Sequence, residues 1–282
     1  MPWYFYALLS TLFFAAQDLL MRVLAIKSGV PRVFSVVFNL WGAFFAILAF
    51  VIQGGSFYDL KNLTPITIIL IICAVILYGF YERTHFSARK GIDASSFAII
   101  FRLTTVIAFV GSILFLHESI TIHKFIGAFF IISASFFLIY KNIKLKISRS
   151  FWLAILSALL LGIVLVIDKP ASAYMQPALY SFIVWCFPVF IVAFPNVPLR
   201  QLKKEFFIGG WKVALTALLN VTGYMLFIQA LTMTDASRVV VVDALTGIFV
   251  VLGGIVILKE HDHIGRKIIA AIIAFVGVYL LR

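Results

Sequence analysis

Charge is scarce in this 282-residue chain, where Asp, Glu, Lys and Arg together make up 12% of the residues. Soluble domains carry about 25%. With 63% apolar residues and a mean hydropathy of +1.12, the composition excludes a water-soluble globular protein. Cysteine is also nearly absent: Cys73 and Cys186 both fall inside apolar runs, which excludes a disulfide framework and a zinc site built on thiolates. Connections are short. Ten bilayer spans use about 200 residues and leave about 80 for nine loops and two ends, so no connection can hold a soluble domain. The chain also lacks a Gly-x-Ser-x-Gly elbow, a His-Glu-x-x-His helix and a phosphate-binding Gly-x-x-x-x-Gly-Lys-Ser/Thr loop. The first two absences argue against an integral-membrane enzyme, and the third argues against nucleotide-driven work.

What is present is a series of long apolar runs. The sequence predicts spans over 3–21, 33–51, 65–81, 94–116, 122–140, 151–167, 177–195, 211–231, 236–258 and 264–281. They are continuous rather than alternating, so helices, not barrel strands, are expected. The first run follows no basic segment and precedes no small-residue cleavage site, and is read as a retained helix.

The net charge of +12 follows from topology. Connections one, three, five, seven and nine carry 17 basic residues: Arg22, Lys27, Arg32; Arg83, Arg89, Lys90; Lys141, Lys144, Lys146, Arg149; Arg200, Lys203, Lys204, Lys212; Lys259, Arg266, Lys267. The opposite face carries 5, namely Lys61, Lys124, Lys169, Arg238 and Arg282. The positive-inside rule places the richer face in the cytoplasm and both termini outside. No nucleic-acid partner is needed to explain the basic excess.

The halves repeat. Asp93-Ala94-Ser95 and Glu118 recur as Asp235-Ala236-Ser237 and Glu260, all at an offset of 142, and Gly111 recurs as Gly253. Ala7-Leu8-Leu9-Ser10 recurs as Ala154-Ile155-Leu156-Ser157 at 147. Five spans per repeat is an odd number, so the second half enters the membrane inverted. The expected organisation is a first repeat over 1–141, a basic linker over 142–150 and a second repeat over 151–282. Inverted halves with a binding site between them are the plan of secondary transporters.

These segments resemble the ten-helix EamA-type branch of the drug/metabolite transporter superfamily. The resemblance rests on Gln229 through Ser237, on Leu258-Lys259-Glu260, and on Leu116-His117-Glu118 with Gly127 nine residues on. It implies a permease or exporter of a small metabolite. Two features depart from the family: Thr105 and Gly247 stand where many relatives have a mid-helix proline, and the charge count places the termini outside where relatives are usually drawn with them inside.

Ionisable residues within spans cost about 2.5 to 3.5 kcal/mol each on insertion scales and mark pathways. Arg102, Asp243 and Asp18 are the clear cases. Helical rise places Arg102 nearer in depth to Asp18 than to Asp243, so one reading is a structural Arg102–Asp18 pair. The other is a substrate site in which Arg102 takes an anionic group and Asp243 a cationic group or a proton, which suits an amino acid or other zwitterion. Polar residues at helical spacing accompany them: Thr216, Asn220 and Tyr224; Tyr6, Ser10 and Gln17; Asn39 with Trp41; and Trp185 with Pro188. Tyr224 and Trp185 are expected to wall a cavity, and a cation over either ring gains about 0.5 to 2 kcal/mol.

The remaining charges read as interfacial. Glu82, Asp168 and Glu205 are expected to pair beside Arg83, Lys169 and Lys204, and Glu118 and Glu260 to cap the helices that follow them. All five histidines lie at or near expected loops, and His261-Asp262-His263 is too sparse for a metal. No cofactor is expected. A monomer can enclose the cavity, and a flippase for a lipid-linked intermediate is the alternative on the same body, with Arg102 in a groove open to the bilayer.

Overall fold

The computed structural model describes residues 1–25, 30–91, 97, 100–139, 147–257 and 264–281. The described segments are helical, with no strand among them. In chain order they are α1 (Trp3–Ala25), α2 (Pro31–Ile52), a 3-10 turn (Phe57–Asn62), α3 (Pro65–Gly91), α4 (Leu103–Phe115), α5 (Ile122–Ile139), α6 (Arg149–Ser172), α7 (Pro177–Cys186), α8 (Pro188–Ala193), α9 (Leu199–Leu231), α10 (Ala236–Asp243), α11 (Thr246–Ile257) and α12 (Ile264–Leu281). Five of these helices, α1, α2, α3, α6 and α9, are long and apolar enough to cross a membrane unaided. Large apolar side chains such as Ile66, Phe115, Phe129 and Trp152 remain exposed on the outer faces, which is where lipid meets the bundle.

Local chemistry explains where spans break. Pro188 has no N–H to continue the ladder, so the seventh span divides into α7 and α8 there. The ninth span divides without a proline. Ala244 and Leu245 donate to Val241 and Val242, three residues back, and this tightened turn separates α10 from α11. In α9, Gly210 adopts φ 52° and ψ −150°, a conformation costly for any residue with a Cβ, and it kinks the entering arm away from the span. α3 continues ten residues past the expected end at Tyr81, to Gly91, which turns Glu82, Arg83, His85 and Arg89 into helix residues rather than loop residues.

The packing has two-fold character. α3 lies on α6 and α1 lies on α9, which are the same pairing with the halves exchanged, and α5 packs on α12. Single residues obey the same exchange. A Cβ on Gly111 would lie 2.9 Å from Val166, and one on Gly253 would lie 2.5 Å from Leu19. Those are equivalent contacts, because Gly111 and Gly253 differ by 142 and Leu19 and Val166 by 147. Gly127 and Gly277 oppose each other between α5 and α12, where a Cβ on either would come within 2.8 Å of the other's carbonyl oxygen. Small residues at such crossings let helices approach where no hydrophobic effect drives them together. The fold is thus an all-α membrane bundle of two inverted five-span repeats.

Candidate functional site

A cavity of about 160 Å³ lies between the halves. α1 contributes Gln17 and Asp18, α2 contributes Asn39, and α7 contributes Trp185, with Pro188 beside it at the start of α8. α9 contributes Asn220 and Tyr224, Arg102 stands at the entry to α4, and Asp243 ends α10. All eight residues singled out from the sequence as substrate-binding therefore meet at one cavity. Of the polar residues around them, Thr216 bonds the Lys212 carbonyl of its own helix at 2.7 Å, and Ser10 holds α1 to α9 through the Gly223 carbonyl at 2.8 Å. Tyr6 packs against the core and Trp41 stacks on Phe45 and Phe206, so none of these four lines the cavity.

Arg102 is held from two sides. Its Nη1 donates to the Ala244 carbonyl at 2.9 Å, an acceptor exposed by the tightened turn after α10. Gly247 lies under the guanidinium, where a Cβ would come 2.9 Å from Nη2. The buried Nε has no partner among the described residues. Asp243 lines the same cavity, and its side chain's one hydrogen-bond partner among the described residues is the Thr246 hydroxyl, at 3.5 Å. No direct ion pair joins Asp243 to Arg102 among the described residues, so an arginine and an aspartate face one space, each with unused hydrogen-bonding capacity.

Asp18 pairs with Arg89 of α3, Nη2 to Oδ1 at 2.9 Å, and not with Arg102 as depth alone suggested. Depth along the membrane normal says nothing of lateral position, and the extension of α3 brings a second arginine to the site. Glu82 does not pair with Arg83. It receives Asn39 Nδ2 at 3.5 Å inside the cavity, whereas Arg83 donates to the carbonyls of Ile191 and Phe194 at 3.3 and 2.7 Å. His85 lines the cavity too and is buried against Phe97 and Phe101, which corrects its placement near a loop. A signal for these residues was present: Tyr78, Glu82, His85 and Arg89 follow helical spacing and share one face.

Asp168 is also not interfacial. It is completely buried and accepts from three tyrosine hydroxyls, Tyr78 at 2.5 Å, Tyr180 at 2.6 Å and Tyr224 at 3.1 Å. Its neighbour Lys169 turns instead to Glu118 at 3.1 Å and to the Thr234 carbonyl at 2.8 Å.

Glu118 is a cap, but of the other half's helix. It accepts from the Ala236 amide at 2.6 Å, the Ser237 amide at 3.0 Å and the Ser237 hydroxyl, at the N-terminus of α10. Buried Lys124 completes the group, 3.0 Å from Asp235 and 3.6 Å from Glu118. Burial alone would raise the Glu118 carboxyl. The Ser237 hydroxyl and amide, the Ala236 amide and Lys169 outweigh it and hold the group below its ordinary value. The corresponding cap by Glu260, and the segment of Asp93, Ala94 and Ser95, lie outside the described residues.

A solved crystal structure superposes on the chain with a TM-score of 0.75, covering 99% of this chain and 96% of its own at 14% identity. It is one of 29 solved chains that match significantly. At that identity the likeness shows a shared fold. No curated protein sequence matches significantly. A family model does, twice, over residues 1–140 and 148–282, once on each of the halves that line the Arg102 cavity. The chain belongs to the EamA-like transporter family, within the drug/metabolite transporter superfamily.

Proposed function

We propose that this membrane transporter carries a small organic metabolite bearing both an anionic and a cationic group, an amino acid or a similar zwitterion, by alternating access. The observation that supports this reading is the pairing of Arg102 and Asp243 on one inter-half cavity without an ion pair between them. The arginine presents planar donors suited to a carboxylate, and the aspartate is an acceptor for an ammonium. Trp185 and Tyr224 supply apolar walls for the rest of the solute. Asn39, Gln17 and Asn220 offer further hydrogen bonds, and the Asp18–Arg89 pair fixes α1 against α3 at the cavity rim.

Rocking of the first repeat, 1–141, against the second, 151–282, about this site would expose it to the two faces in turn. With no phosphate-binding loop, the driving force is a gradient or exchange. The 17 to 5 distribution of basic residues favours both termini outside in the plasma (inner) membrane. One monomer is sufficient.

Counterflow in proteoliposomes tests the proposal, with labelled amino acids, amines, nucleosides and sugar phosphates as the panel. The wild type is expected to accumulate amino acids or another zwitterion, and Arg102→Ala is expected not to. Accumulation of a purely cationic or purely anionic class overturns the zwitterion assignment. Accumulation by neither protein, both shown to be folded, overturns the reading and favours flipping of a lipid-linked intermediate.

A further inference from the structure

Asp168 is the one fully buried carboxylate in the described bundle with no cation beside it, and the substrate site makes no use of it. From its position in α6 it gathers tyrosines from three other helices, Tyr78 of α3, Tyr180 of α7 and Tyr224 of α9. Tyr78 and Tyr224 are 3.3 Å apart at their hydroxyls, and both line the central cavity.

Among the described residues no charged group on the elements packed against α6 pairs with Asp168, and those of α9, Arg200, Lys203, Lys204, Glu205 and Lys212, precede Tyr224 by about three helical turns or more. On α3, Glu82 meets Asn39, Arg83 meets the Ile191 and Phe194 carbonyls, Arg89 meets Asp18, and His85 packs among aromatic rings. Arg102 at the start of α4 meets the Ala244 carbonyl, and Asp243 of α10 meets Thr246. Arg238 of α10 opens on a surface pocket beside His123 and Lys124. Lys169, next in sequence, points to Glu118. Among the described residues, the polar groups that face Asp168 are the three hydroxyls.

An ionised carboxylate held in a bilayer by neutral donors alone is stabilised only while those donors stay in place. Tyr78 belongs to the first half, and Asp168, Tyr180 and Tyr224 to the second. Any rocking of one half against the other therefore changes the donor count at Oδ2, and an added proton would compensate for a lost donor.

We propose that Asp168, with Tyr78, Tyr180 and Tyr224, is a proton-binding site set beside the substrate cavity, and that its occupancy is tied to the relative position of the halves. A hydronium in the cavity gives a proton to the Tyr78 oxygen and is left as water, as the Tyr78 hydroxyl hydrogen passes to Asp168 Oδ2. One O–H bond forms at each oxygen and one breaks at each donor, so tyrosine is regenerated and the carboxylate becomes a carboxylic acid. The coupling role rests on the transporter reading, but the site itself can be tested without transport.

The test is infrared difference spectroscopy on the purified full-length protein in lipid, stepped between alkaline and acidic buffer. A carboxylic C=O band should appear on acidification and be lost in Asp168→Asn. Tyr78→Phe and Tyr180→Phe keep the carboxyl but remove a hydrogen-bond partner, so each should shift that band's frequency. A titrating spectrum identical in wild type and Asp168→Asn overturns the proposal, as does a band indifferent to both tyrosine variants. If Asp168→Asn fails to fold, the two tyrosine variants decide by the same criterion. Loss of transport activity across all solutes with the Asp168 band intact would count against the transporter reading and leave the proton site standing.

Discussion

The guanidinium of Arg102 donates to the carbonyl of Ala244, 2.9 Å away, and these two residues are each other's equivalents at the 142-residue repeat offset. The entry to α4 thus touches the turn that divides the ninth span, across the pseudo-two-fold axis. One half presents a long cationic side chain at this position, and the other presents alanine and offers its backbone. The pseudo-symmetric seam is polarised at this pair.

Gly247 is the lever on that contact. A methyl group there would lie 2.9 Å from Arg102 Nη2 and 3.2 Å from Cζ, so in Gly247→Ala the mobile guanidinium must shift. We expect the transport KM to rise about tenfold, equivalent to about 1.4 kcal/mol, with the thermal midpoint nearly unchanged. Arg102→Lys should lose more, because an ammonium cannot span the Ala244 carbonyl and a carboxylate with planar donors. Solute uptake kinetics on both variants check this; an unchanged KM in both would remove Arg102 from the pathway.

The Asp18–Arg89 pair should behave as a structural tie. Its side chains are 30% and 22% exposed, so part of the charge is solvated and the cost of breaking the pair falls below the 3 to 5 kcal/mol of a fully buried one, at about 1 to 3 kcal/mol. Arg89→Gln is expected to lower the thermal midpoint in detergent, and Asp18→Asn in that background to restore part of it. Additive losses in the double-mutant cycle would show that the two groups do not interact.

Much of this arrangement was legible before any coordinates. Hydropathy located the spans, and the recurrence of Asp-Ala-Ser and Glu gave the inverted repeat. The cost of intramembrane charge pointed to Arg102, Asp243 and Asp18, all of which line the cavity. Asp168 and Glu118 were misread for a common reason: each was judged by sequence neighbours, whereas its partners are distant. The nearest hydroxyl donor to Asp168 in sequence is Tyr180, 12 residues away, and Glu118 caps a helix 118 residues on. Composition also ended α3 at Tyr81, where apolar residues give way to charge, although the helical face itself runs on to Arg89. Average hydropathy reports lipid contact, and a helix lining a polar cavity has less of it.

Trp185 and Gly42 make a packing prediction. A Cβ on Gly42 would clash with Cε3 and Cζ3 at the edge of the Trp185 ring, and the indole is also fixed edge-on by Phe38 at 6.0 Å. Gly42→Ala must displace the indole, an overpacking that costs about 1 to 3 kcal/mol. The displacement is into the cavity that Trp185 lines, so affinity for solute should fall along with stability. Tryptophan fluorescence shifts and uptake assays on this variant would register both effects, and a variant with wild-type stability and affinity would contradict the close approach of α2 and α7.

The last prediction concerns pH and Glu118. This carboxyl is held below its ordinary value of 4.5 in the folded protein by donors from the start of α10 and by Lys169. The unfolded chain therefore binds the Glu118 proton more readily than the folded one. Its contribution to stability is complete above the ordinary glutamate range and is lost as pH falls through the depressed folded value. Thermal unfolding measured from neutral pH downward should show the wild-type midpoint declining at the acid end, and Glu118→Gln should start lower and decline less. At neutral pH the substitution should cost about 1 to 3 kcal/mol. It removes the charge that Lys169 and Lys124 approach, and it leaves Lys124, which is buried, with Asp235 as its remaining carboxylate among the described residues. Because Glu118 and Lys124 belong to one half while Lys169 and Asp235 belong to the other, the same variant should loosen the join between halves at this end of the bundle. A cysteine placed at Thr234 should then react faster with a membrane-impermeant thiol reagent than in the parent background. Equal reaction rates together with an unchanged acid limb would mean that the cluster holds neither the helix nor the seam.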